Sequence, residues 1–135
     1  MRYPCLLAVL GLAAVGTSAT AQTIPPVPRS ATVPTGIKRE IGFFASLNAD
    51  CTTNGDVQSR LIKQPANGTV ELDDGIGYPV YPPANPRYVC NSRQVMGVRV
   101  FYTSKDGFTG KDSFETEFFA PAGQDIVWKY SITVK

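Results

Sequence analysis

The chain is expected to fold as an all-β sandwich of about seven short strands in two antiparallel sheets, and three observations carry that expectation. From Val98 to Val134 apolar residues recur at every second position, the period of strands with one face buried. Segments of this kind are separated, at intervals of roughly ten residues, by clusters of Pro, Gly, Asn and Asp that reverse a chain. Of the 135 residues, 21 read as a leader, and the remaining 114 suit one domain with one core.

At the N-terminus, Arg2 precedes an apolar run from Leu6 to Val15 that ends in Ala19-Thr20-Ala21. This is the pattern of a secretory signal peptide, residues 1–21, cut before Gln22. The run is short of the roughly 20 apolar residues that span a bilayer. The mature chain is therefore expected to carry no transmembrane segment and to reside in the periplasm or outside the cell. Residues 22–36 hold Pro25, Pro26, Pro28 and Pro34 with few apolar side chains, which predicts an extended tether.

The sandwich is expected over residues 37–135. Within Lys38 to Leu47, Ile41, Phe43 and Ala45 alternate with Glu40, Gly42 and Phe44 as in a first strand. Asn48 to Asp56 reads as a turn around Asn54-Gly55; its oxygen-bearing side chains are also of the calcium-binding type, without the full EF-hand spacing. Val57 to Lys63 reads as the next strand. Gln64-Pro65-Ala66-Asn67-Gly68 predicts a hairpin with Thr69 to Leu72 returning.

Asp73 to Asn91 is dense in Gly and Pro and carries Tyr78, Tyr81, Arg87 and Tyr88, which predicts a long loop tied to the body at Cys90. Aromatic rings and a guanidinium on proline-stiffened backbone are the composition of contact surfaces. The alternative gives these rings to packing over a sheet edge. Val98, Val100 and Tyr102 then share a strand face, the chain turns at Lys105 to Asp112, and Phe114, Thr116 and Phe118 share the next. A second turn at Pro121 to Asp125 leads to the cleanest alternation in the chain, Ile126, Trp128, Tyr130, Ile132 and Val134.

After removal of the leader, twelve basic residues face eleven acidic ones, a net charge of +1 spread along the chain. Such a balance argues against nucleic acid as a partner. The same cut leaves two cysteines, Cys51 and Cys90. In an exported chain without histidine, an even pair most simply forms one disulfide. The absence of histidine also excludes Ser-His-Asp and Cys-His catalysis. Asp73-Asp74 is an adjacent carboxylate pair whose members point to opposite faces if the segment is a strand. No cofactor motif, metal cluster or catalytic residue set is expected.

Gly107-Phe108-Thr109-Gly110-Lys111-Asp112-Ser113-Phe114, preceded by Phe101-Tyr102-Thr103, resembles the GF-x-G-x-D-x-F signature of bacterial immunoglobulin-like and cadherin-like repeats. Gln64-Pro65-Ala66-Asn67-Gly68-Thr69-Val70 is similar to their P-x-x-G-T-V element. The resemblance spans most of Leu61 to Val134 and implies an immunoglobulin-like sandwich, here in a single copy. In the signature itself, Gly107 and Gly110 permit backbone that other residues resist, Asp112 can bond nearby amides, and Phe108 and Phe114 can bury rings.

These readings converge on a monomeric, exported, non-catalytic module that binds a protein or glycan at the cell envelope through the loop bearing Tyr78, Tyr81, Arg87 and Tyr88. A structural envelope protein without a dedicated ligand, and a secreted hydrolase inhibitor using the same loop, are the alternatives.

Overall fold

The computed structural model describes Gly16 and residues 23–135; the signal-peptide reading of residues 1–21 falls, Gly16 apart, outside them. Among the described residues seven strands build the fold: β1 (Val27–Val33), β2 (Arg39–Phe44), β3 (Gln58–Lys63), β4 (Gly68–Gly77), β5 (Val95–Ser104), β6 (Gly110–Phe119) and β7 (Asp125–Val134). They form a four-stranded sheet, β1-β7-β6-β3, and a three-stranded sheet, β2-β5-β4. The order β7-β6-β3 facing β2-β5-β4 is that of an immunoglobulin-like sandwich, with the first strand added to the sheet of the last.

The alternation in the last three strands places the core. Val98, Val100, Tyr102, Phe114, Phe118, Trp128, Tyr130, Ile132 and Val134 are all buried and form one cluster. Their rings make a column: Phe44 stacks on Phe118 at 4.6 Å, Trp128 meets Phe118 edge-on at 4.9 Å, and Phe114 stacks on Tyr130 at 4.5 Å. Each such pair adds about 0.5–1.5 kcal/mol beyond the area it buries.

Three expectations are corrected. The tether assigned to residues 22–36 contains β1, which pairs with β7 in parallel from Val27 opposite Trp128 to Val33 opposite Val134. Pro28 is tolerated because β1 is an edge strand and one side of its ladder stays open. It also makes this sheet mixed, where a purely antiparallel pair of sheets was expected. In β2 the predicted alternation breaks, since the register shifts between Glu40 and Gly42. Phe44 therefore packs in the main core while Phe43 packs elsewhere.

The third correction concerns connections. Residues 64–67 do not close a hairpin, because β3 pairs with β6 and β4 pairs with β5 in the other sheet. Likewise the turn at Lys105 to Thr109 carries the chain from one sheet to the other. Both arches are held by Asp112. Its carboxylate accepts hydrogen bonds from the Ala66 and Asn67 amides at 3.0 Å each and from the Tyr102 hydroxyl at 2.7 Å. Gly107 (φ 75°) and Gly110 (φ 128°) take the left-handed backbone that the arch requires.

Burial and the Asp112 carboxylate together push the Tyr102 phenol well above its ordinary value of 10.0, and burial does the same for Tyr130. The folded state thus retains phenolic protons that the unfolded state releases above pH 10, so stability is flat below that pH and falls above it. Thermal melts between pH 7 and pH 11.5 are expected to show a plateau followed by a steep decline from about pH 10. A melting temperature that holds steady through that upper range would contradict the burial of these two hydroxyls.

Candidate functional site

The long loop is shorter than expected. Asp73 to Gly77 continue β4, pairing with Arg99 to Val95, so the irregular segment runs from residue 78 to residue 94. On β4, Asp73 pairs with Arg99 while Asp74 lies across from Val98, on the sheet's other face. The two carboxylates are thereby kept apart. In the segment 48–56, the Asp50 carboxylate accepts hydrogen bonds from the Thr52 hydroxyl and amide, which hold its pKa below the ordinary value.

The loop is pinned from below. Cys90 is bonded to Cys51, with their Cα atoms 5.4 Å apart, as the even cysteine count predicts. Ala45, Leu47 and the two cysteines form a small second core against which Phe43, Tyr81 and Val95 pack. The Tyr81 hydroxyl donates to the Ala45 carbonyl at 3.1 Å, and the Arg87 guanidinium donates to the Leu47 carbonyl. Burial raises the Tyr81 pKa, and nearby Arg87 partly opposes it. Asn91 clamps the loop across its width: its carboxamide oxygen accepts from the Tyr81 amide at 2.8 Å, and its NH2 group donates to the Tyr81 carbonyl at 2.9 Å. A one-turn 3-10 helix, Tyr88–Ser92, closes the segment.

The four candidate contact residues therefore divide. Tyr81 and Arg87 turn inward and hold the loop. Tyr78 and Tyr88 turn outward, 54% and 49% exposed. Beside them the structure adds Val80 and Val89, 84% and 64% exposed, and the cross-strand pair Ile76 and Met96, both more than half exposed. Six of the ten exposed large apolar residues among the described ones thus lie at the loop end of the sandwich. Single exposed apolar side chains are ordinary, whereas a cluster at one end on a rigid frame is the form of a contact surface.

The sequence offers a signal for the tyrosines but none for the rest. Ile76 and Met96 stand in the core-facing phase of their strands and are nonetheless exposed. Three of the arginines are engaged singly by neighbouring groups. Arg60 pairs with Glu117 at 2.5 Å, Arg99 pairs with Asp73, and Arg87 serves the Leu47 carbonyl.

Among the described residues no helix is long and apolar enough to cross a membrane, and no group of three or more His, Cys, Asp or Glu side chains is placed to hold a metal ion. No family model and no curated protein matches the chain. Among solved structures, the solution structure of Amebosin is similar, at 12% identity and a TM-score of 0.44, over 78% of this chain and 88% of that one.

Proposed function

We propose that the protein is an exported, non-catalytic recognition module that binds a protein or glycan at the cell envelope through the apolar end of its sandwich. The observation that supports this reading is the exposure of Tyr78, Val80, Tyr88 and Val89 on a loop already immobilised by Tyr81, Arg87, Asn91 and the disulfide. A loop ordered before contact loses little further entropy on binding, so its apolar area is available as affinity. The Cys51–Cys90 bond fits an oxidising compartment.

The test separates contact from folding. Serine at both Tyr78 and Tyr88 is expected to change unfolding stability by no more than about 1 kcal/mol, since the rings are half in water. Tyr81→Ala, which empties part of the second core and leaves the Ala45 carbonyl without its donor, is expected to cost about 3 kcal/mol. Binding of the wild-type protein to purified envelope fractions, followed by sedimentation, should be lost in the double serine variant. Undiminished binding by that variant would remove the loop end from the reading.

A further inference from the structure

β1 and β2 are the edge strands of their sheets, on the same side of the sandwich, and the side between them is open. The gap is a groove of about 420 Å³ lined by Val27 and Arg29 from β1, Ile41 to Phe44 from β2, Ile126, Trp128 and Tyr130 from β7, and the loop segment Pro79 to Pro82. A volume of this order, with apolar and aromatic walls and few polar groups, is that of a small-ligand site.

Its one charge is out of place for a sandwich. Through the β1–β7 register, Val27, Arg29, Ala31 and Val33 pair with Trp128, Tyr130, Ile132 and Val134. All four partners are buried core residues, so Arg29 stands in the core-facing phase of β1, although at this open edge it is itself exposed. Its guanidinium lies 4.3 Å from the centre of the Trp128 ring. Among the described residues it forms no ion pair, and no Asp or Glu lines the groove. Beneath it, the hydroxyl of Tyr130, which also lines the groove, is buried without a hydrogen-bond partner. Gly42 leaves the space for it: a Cβ there would stand 2.1 Å from that oxygen. The guanidinium is near enough to oppose the rise that burial causes in the Tyr130 pKa.

We propose that this groove binds a small amphipathic monocarboxylate, its anionic head on Arg29 and its apolar body against Trp128, Phe44, Ile41 and Ile126. An unpaired planar guanidinium with no competing carboxylate selects an anion, and carboxylate matches its paired N–H donors. The apolar walls take a hydrocarbon or aryl body and reject a strongly hydrated one. The groove shares Val80 with the exposed loop end but does not rest on that reading, since neither Tyr78 nor Tyr88 lines it.

A charge exposed on an edge strand can also serve to repel a second sheet, and the experiment separates the two roles. Trp128 is the only tryptophan and lines the groove, so emission excited at the red edge, where tyrosine absorbs little, reports on it. Titration with decanoate below its micellar concentration is expected to give a saturable change in emission. Decyltrimethylammonium, of equal chain length, should bind at least about tenfold more weakly, as should decanoate to Arg29→Gln, because a hydrogen bond to a charged group contributes about 1.5–3 kcal/mol. Val27→Asp, at the exposed rim beside Arg29, should pair with the guanidinium and remove the preference for the anion. The proposal is overturned by a flat titration, by equal affinity for the two amphiphiles, or by an Arg29→Gln protein that keeps its affinity for decanoate. An Arg29→Gln protein that self-associates while retaining that affinity would assign the arginine to edge protection instead.

Discussion

Replacing Asp112 by alanine is expected to remove about 3–5 kcal/mol of stability, the cost of stripping a buried acceptor from several donors at once. The carboxylate serves Ala66, Asn67 and the fully buried Tyr102 hydroxyl, and so ties together the two arches that carry the chain between sheets. Asp112→Asn retains one acceptor oxygen but presents an NH2 group to donors, and should lie between the two. The mechanism has its own signature. Once Asp112 is gone, the Tyr102 hydroxyl is a buried donor without an acceptor, so adding Tyr102→Phe should recover about 1–2 kcal/mol, although the same change in the wild-type background costs stability. Urea unfolding of the four proteins checks this. Strict additivity of the two changes would mean that the hydrogen bond contributes little.

Loss of the disulfide is expected to be comparable in size and different in place. Closing the loop between Cys51 and Cys90, 39 positions apart, contributes on the order of 4 kcal/mol in the chain-entropy account. Alanine at both positions should lower the urea midpoint accordingly. Hydrogen exchange should locate the damage, with faster exchange at the Tyr81, Cys90 and Arg93 amides, which are bonded within the loop, and little change in the β6–β7 ladder. Exchange that accelerates equally everywhere would show that the loop and the sandwich open as one unit. The two sites also stand at opposite ends of β4 and β5, ten-residue strands about 30 Å long. Their effects should therefore add within about 0.5 kcal/mol. Jointly they approach the whole stability of a domain this size, so the combined variant is expected to be largely unfolded.

Several features were legible in the residues alone. The alternation of Val98 to Tyr102, of Phe114 to Phe118 and of Ile126 to Val134 determined which side chains enter the core, because a period of two survives in any sheet. The even cysteine pair determined its own bond. Asp112, Gly107 and Gly110 announced a specially shaped corner. What they could not announce is which strands the corner joins: a hairpin and an arch between sheets require the same turn residues, and the choice lies in pairings between positions tens of residues apart, as Leu61 with Thr116 or Val70 with Tyr102.

Three further matters were decided only by the tertiary structure. The segment Val27 to Val33 looks like a proline-rich tether until β7 offers it a parallel edge, and Arg29 is an ordinary surface charge until the register turns it toward Trp128. Of the four loop residues, Tyr81 and Arg87 face inward because the carbonyls of Ala45 and Leu47 happen to lie beneath them, and Tyr78 and Tyr88 face outward because nothing does. Exposure is set by which distant backbone covers a side chain, a property of the assembled sheets that local composition does not carry.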